Sequence, residues 1–253
     1  MAPEPWSWQP AWVELAAAAV LVAAYVRAAR RYGPSRLQTA CFATAVVLLV
    51  AVAVTPLATL ALHYLLSAHL VQNVALAEWI PLLLVAAVPA GLASSLVRPR
   101  PVRILTNPGV ALPLWLAAYA AWHVPAAYDA ALEHQALLHL EHLTYLVTGL
   151  LLWWPVLQEE PWRLTAGARS AYVFAAFVFA SPLGLLLALL PSPLYDFYVE
   201  APRIWGLTPL ADQQIAGVAM AVSEAIVFST AFTVFFVRFM AAEEREYSRE
   251  PHG

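Results

Sequence analysis

The sequence predicts an all-α integral membrane protein, a bundle of seven transmembrane helices with its N-terminus outside and its C-terminus in the cytoplasm. Three observations lead there. Hydrophobic residues make up 62 % of the 253 positions and charged residues 11 %, a mixture far from that of soluble domains. Seven apolar runs reach roughly 20 residues, the length needed to cross about 30 Å of hydrocarbon. The basic residues, all 13 of them arginine, fall almost entirely in alternate loops.

The runs follow one another along the chain. Run one (11–29) has no positive residue before it, and Glu4 and Glu14 precede or enter it; a cleavable signal peptide would start with a basic stretch, so this run is read as a retained helix. Arg27, Arg30, Arg31 and Arg36 separate it from run two (37–55), which carries the lone cysteine, Cys41, near its inner end. Run three (67–91) starts near His69 and places Glu78 at mid-depth. Arg98, Arg100 and Arg103 precede run four (106–123), which ends on Trp122 and His123. Run five (135–157) opens with His139 and His142 and closes with Trp153 and Trp154. Arg163 and Arg169 lead into run six (168–190), Arg203 alone lies before run seven (212–239), and Arg238, Arg245 and Arg249 follow at the end. Twelve arginines on one side against one on the other give the orientation by the positive-inside rule. That parity requires an odd number of spans. The tryptophans at run ends, Trp6, Trp8, Trp12, Trp122 and Trp205 on one side and Trp153, Trp154 and Trp162 on the other, are read as interface anchors.

The chain divides into an outer N-terminal segment (1–10), one membrane domain (11–240) and a cytoplasmic tail (241–253). Both ends are expected to be exposed and mobile, and His252 in the tail is read as a solvated end residue. A single cysteine excludes an intrachain disulfide and a thiolate cluster.

Six of the seven histidines, His63, His69, His123, His134, His139 and His142, fall at the same end of the predicted helices. One histidine at an interface is commonly a helix cap. Six at one end with none in the opposite loops point to a metal or proton function, since imidazole is the commonest metal ligand and titrates near neutral pH. His139 and His142, three apart on a helix, share a face. With His69 they are the first candidates for direct ligands, followed by His123, then His63 and His134. Glu141 is expected to point elsewhere, as an acceptor behind the ligands or a solvent-facing group.

Run seven is otherwise apolar but contains Asp212, Gln213, Gln214, Gly217, Met220, Ser223 and Glu224. Gln213, Gly217, Met220 and Glu224 recur at helical spacing and form one stripe expected to face the bundle. On a rise of about 1.5 Å per residue, Met220 lies roughly 10 Å and Glu224 about 16 Å below the outer end. Intramembrane carboxylates such as Glu78 and Glu224 are functional-site candidates by default. Ideal geometry places Glu78 about 180° around its helix from His69, so the two are not joined into one site unless Pro81 distorts the helix.

The segments SAHLVQN (67–73), WHVPAAYDAALEHQALLHLEHLTYL (122–146), LLWWP (151–155) and LYDFYVEAPRIWGLTPLADQQIAGVAM (194–220) resemble the CtaG family of cytochrome c oxidase assembly factors. The resemblance runs from about residue 55 to the end of run seven. It implies a multi-pass protein of the prokaryotic plasma membrane that helps build haem-copper oxidases by supplying copper, with oxidase subunits and a copper chaperone as partners. Carried over by position, it points to His69, His123, Asp129, His139, Glu141, His142, Asp212, Gln213, Gln214 and Met220. The family usually reads His-Met-Xaa-Gln-His where this chain has His69, Leu70, Val71, Gln72 and Asn73. Asn73 therefore replaces the second imidazole of an i,i+4 pair, which is expected to weaken metal binding.

Copper is the favoured ion, with Met220 as a soft ligand for the cuprous state; zinc is the second choice. Three other classes share some of these features. A retinal protein is excluded because the chain has no lysine. A di-haem cytochrome needs axial histidines reaching both halves of the bilayer, which disfavours haem. A copper or proton transporter is the main rival, because Glu78, Glu224 and the stripe could line a pathway. No nucleophile with its base and no nucleotide-binding fingerprint is visible, so a catalytic enzyme is not expected. The net charge of -3 gives no reason to expect nucleic acid.

Overall fold

Prolines and capping side chains, more than the apolar runs themselves, decide where the helices begin and end. The computed structural model describes residues 2–248; Arg249 and His252 lie outside the described residues. In chain order the elements are α1 (Trp12–Tyr32), α2 (Arg36–Val54), α3 (Pro56–His63), α4 (Leu66–Val74), a π-helical turn (Ala75–Trp79), α5 (Ile80–Ala86), α6 (Ala90–Leu96), α7 (Arg100–Leu105), α8 (Pro108–Trp122), α9 (Pro125–Glu133), α10 (Gln135–Leu157), α11 (Ala166–Leu189), α12 (Asp196–Glu200) and α13 (Pro209–Tyr247). No strand occurs among the described residues. Ser35 and Gln38 form a capping box at α2, and Asn107, Thr165 and Thr208 cap α8, α11 and α13, each satisfying an N–H that the helix itself leaves free.

Six helices are long and apolar enough to cross a bilayer: α1, α2, the combined run Leu66–Ala86, α10, α11 and α13. The expected fourth span is shorter and bent. Its helix α8 has 15 residues, and α9 follows after a bend of 74°, so a count of seven holds only if this pair is taken as one broken span. The sharp turn follows from Pro125, which starts α9 and biases the preceding residue away from the helical region. The expected third span is also shorter, ending at Ala86, because Pro89 stops it and α6 starts anew at Ala90.

Both ends are largely exposed, as expected, but both carry structure. The N-terminal segment is fastened to α3: Gln9 donates to Thr59 Oγ1 at 2.9 Å, Thr59 donates to the Ser7 carbonyl at 2.6 Å, and Tyr64 donates to the Pro3 carbonyl. Thr59 is buried, and its hydroxyl is satisfied by this segment. At the other end α13 continues to Tyr247, well past the predicted end of the span.

The middle of the third span is shaped by Pro81. Proline has no N–H, so the Ala77 carbonyl four residues earlier loses its helical partner. Ile80 instead bonds back to Ala75, five residues away, closing the π-turn. The freed Ala77 carbonyl accepts from Trp115 Nε1 at 3.3 Å. On its other side α10 approaches so closely that a Cβ on Gly149 would lie 2.4 Å from that oxygen. Gly217 plays the same part between α13 and α11, where a Cβ would meet Ala188 N at 2.4 Å. Small residues at helix crossings are what a bilayer favours, since packing rather than water exclusion holds such helices together.

Replacing Gly149 by alanine is therefore expected to destabilise the bundle by about 1–3 kcal/mol through overpacking. The check is thermal unfolding of the detergent-solubilised variant. An unchanged midpoint would show that α10 can retreat from the π-turn at no cost.

Candidate metal centre

The site begins with a helix that cannot cap itself. α4 has no side-chain cap of its own, and its first amides are taken by α13: Asp212 accepts from Leu66 N at 2.7 Å, Ser67 N at 3.2 Å and Ser67 Oγ at 2.5 Å. A carboxylate at a helix N-terminus is favourable both for the free N–H groups and for the helix dipole. Asp212 so fixes the start of α4, and His69 follows one turn later with no solvent exposure.

The orientation of His69 is set by Tyr198. The Tyr198 hydroxyl donates its one proton to the Ala61 carbonyl at 2.5 Å, so it accepts from His69 Nδ1, 2.9 Å away. This assigns the ring's proton to Nδ1 and leaves the Nε2 lone pair free. Nε2 lies 3.7 Å from Glu141 Oε2. Ligand atoms of His69, Glu141 and His142 all fall within 4.8 Å of one another. His69 Nε2, Glu141 Oε2 and His142 Nε2 are buried and have no hydrogen-bond partner. Leaving such atoms unmatched ordinarily costs about 1–3 kcal/mol each.

The expected pairing of His139 with His142 is replaced by Glu141 with His142. His139 turns to α1, where its Nδ1 lies 3.0 Å from Glu14 Oε1. Glu141 turns inward because its other oxygen accepts from Asn73 Nδ2 at 2.8 Å. The role read for Asn73 changes with it: in place of a missing imidazole, it holds a carboxylate toward His69.

The remaining candidates divide by what they touch. His123 is buried; its Nδ1 donates to the Tyr119 carbonyl at 2.8 Å, and its Nε2 is buried without a partner. It lies within electrostatic reach of Glu141 and His69 but does not belong to their three-residue group. Asp129 accepts from Asp196 N and Phe197 N, both at 3.3 Å, and so anchors α12, which carries Tyr198. Gln213 accepts from Leu194 N at 2.6 Å and donates to the carbonyls of Leu187 and Ser192, fixing the approach to α12. Gln214 is exposed on α13, and His134 is exposed at the start of α10. His63 lines an open cleft with Asp129, Glu133 and Asp196. Met220 is buried in the core of the bundle.

Deeper in the bundle lies a second polar group. Glu78 sits in the π-turn with no exposure, and neither of its oxygens has a partner. Glu224, also fully buried, accepts from the Tyr119 hydroxyl and leaves Oε2 unmatched. The two carboxyls are within electrostatic reach of each other and of Tyr119.

This arrangement is paired with a clear match in sequence. The family model described as cytochrome c oxidase caa3 assembly factor (Caa3_CtaG) matches residues 19–242. The chain belongs to that family. No curated protein and no solved structure matches. Within the matched stretch fall all three residues of the buried cluster and the side chains that orient them.

Tyr198 was not singled out from the sequence, nor were Tyr128 and Tyr195, whose stacked rings lie 4.0 Å apart, with Tyr128 5.2 Å from the His69 ring. The signal was the pair Tyr195 and Tyr198 within residues 194–198; Tyr128 lies apart in sequence, on α9. A ligand histidine whose second nitrogen loses its acceptor typically loses 10–100-fold in metal affinity. Tyr198→Phe is accordingly expected to weaken metal binding by that factor with helix content unchanged, measured by competition against a chromophoric chelator and by circular dichroism. Equal affinity in the variant would remove Tyr198 from the account of the site.

Proposed function

We propose that this oxidase assembly factor binds one copper ion at His69, Glu141 and His142 and supports its delivery to the oxidase. The observation that carries the reading is the set of three ligand atoms turned toward one another, buried and otherwise unpartnered. Copper is the cargo in this reading. Two imidazoles and one carboxylate, with no sulfur in the group, suit cupric copper, and zinc would accept the same set. The family's client is an oxidase, and the resemblance drawn from the sequence makes it one of the haem-copper class. By the distribution of arginines the cluster faces the outside of a prokaryotic plasma membrane, where copper from a chaperone would reach it.

The residues have separate tasks. His69 presents Nε2 because Tyr198 holds the opposite nitrogen. Asn73 leaves one Glu141 oxygen for the ion, and that carboxylate offsets part of its charge. His142 completes the set, and open coordination positions remain for exchange. Asp129, Asp212 and Gln213 keep the supporting helices in place.

Copper content of the purified protein after cupric loading tests the reading. About one ion per chain is expected, lost in His69→Ala and in His142→Ala and retained in His134→Ala. Absence of copper from the parent chain would overturn metal binding and leave a scaffold role in assembly. A second reading, cation or proton transport, draws on the buried Glu78–Glu224 pair, since carboxyls at that depth commonly mark ion pathways. It predicts copper or proton flux into sealed vesicles that Glu224→Gln abolishes; binding without flux would favour assembly alone.

A further inference from the structure

The buried cluster has to be reached, and a largely apolar cavity carrying a few polar side chains lies beside it. Between α1, α2, α4 and α10 lies a cavity of about 220 Å³. Its walls are mostly aliphatic, with four side chains that carry donor atoms: Glu14, Gln72, His139 and His142. Glu14 and His139 are partly exposed, at 23 % and 32 %, whereas Gln72 is 2 % exposed and its Oε1 is buried with no partner. His142 belongs to both places, lining this cavity and contributing to the group with His69 and Glu141.

We infer that Glu14 and His139 form the uptake site for the metal cation, from which it passes by His142 to the buried cluster. The inference rests on the copper-binding reading of that cluster. Carboxylate and imidazole atoms 3.0 Å apart are separated by about the distance that two ligands of one ion keep, so a cation can take the place of their direct contact. His139 and His142 are one turn apart on α10, with about 5–6 Å between such Cβ atoms. The transfer is a short step between neighbouring imidazoles, and Gln72 Oε1 offers an oxygen along it. α1 suits the task because it is peripheral: Ala18 is its one buried residue, so Glu14 stands at the outer wall of the cavity.

Cupric ion is the probe, and peptide-resolved acylation of histidines by diethylpyrocarbonate is the readout, in the parent chain and in His69→Ala. Because His69→Ala disables the buried cluster, it isolates uptake. Cupric ion is expected to slow His139 modification several-fold in both proteins. That protection should vanish in Glu14→Ala and in Glu14→Gln, the second variant keeping the shape of the side chain. His139 modified at the same rate with and without the ion in His69→Ala would overturn the uptake site, as would full protection persisting in both Glu14 variants. A chain that shows protection at His139 but holds no copper after removal of excess ion would fail the buried-cluster reading while supporting uptake, so the two outcomes are distinguishable.

Discussion

One carboxylate holds the arrangement together. Asp212 satisfies the first amides of a helix that has no cap of its own, and by doing so it ties α13 to α4 in a medium where water is not at hand to satisfy them. Without that tie the start of α4 would present bare N–H groups to an apolar bundle, and His69, one turn on, would lose its place beneath Tyr198. The rest follows in sequence: a fixed ring, a fixed proton on Nδ1, and a lone pair aimed at Glu141. Asp129 and Gln213 act on the same chain from the other side, since they set α12 and with it the Tyr198 hydroxyl.

Much of the architecture was legible in the sequence because the bilayer imposes a length on every span. The apolar runs located the helices, and their histidine-bearing ends came together. The stripe on α13 also faces inward, with Gln213, Gly217, Met220 and Glu224 all buried. What was not legible depended on neighbours. Spacing alone put His139 beside His142, but a choice between residues 139 and 141 is made by Glu14 on α1 and Asn73 on α4, and no local pattern encodes either contact. Pro81 was visible as a source of distortion, whereas the response to it, a π-turn whose free carbonyl is taken up by Trp115, requires knowing which helix lies opposite. Asn73 shows the same limit: read locally it was a lost ligand, and read in three dimensions it orients a carboxylate.

The two polar centres differ in how they are supplied with partners. Around His69 several side chains are fixed by hydrogen bonds, namely His69 itself through Tyr198 and Glu141 through Asn73, and each residue of the cluster keeps one buried unmatched atom. Around Glu78 and Glu224 the surroundings provide the hydroxyls of Tyr119 and Ser181, both beside Glu224, while both oxygens of Glu78 stay unmatched. The first pattern is that of a binding site with fixed geometry, the second that of buried carboxyls with unmatched oxygens.

At 39 residues, α13 is about 58 Å long on a rise of about 1.5 Å per residue, nearly twice the thickness of the hydrocarbon layer. It contains no proline after its first position. The stretch from Arg238 to Tyr247 therefore exceeds what one crossing of the hydrocarbon needs, and it is continuous by one unbroken helix with the Asp212 carboxylate that seats the helix of His69.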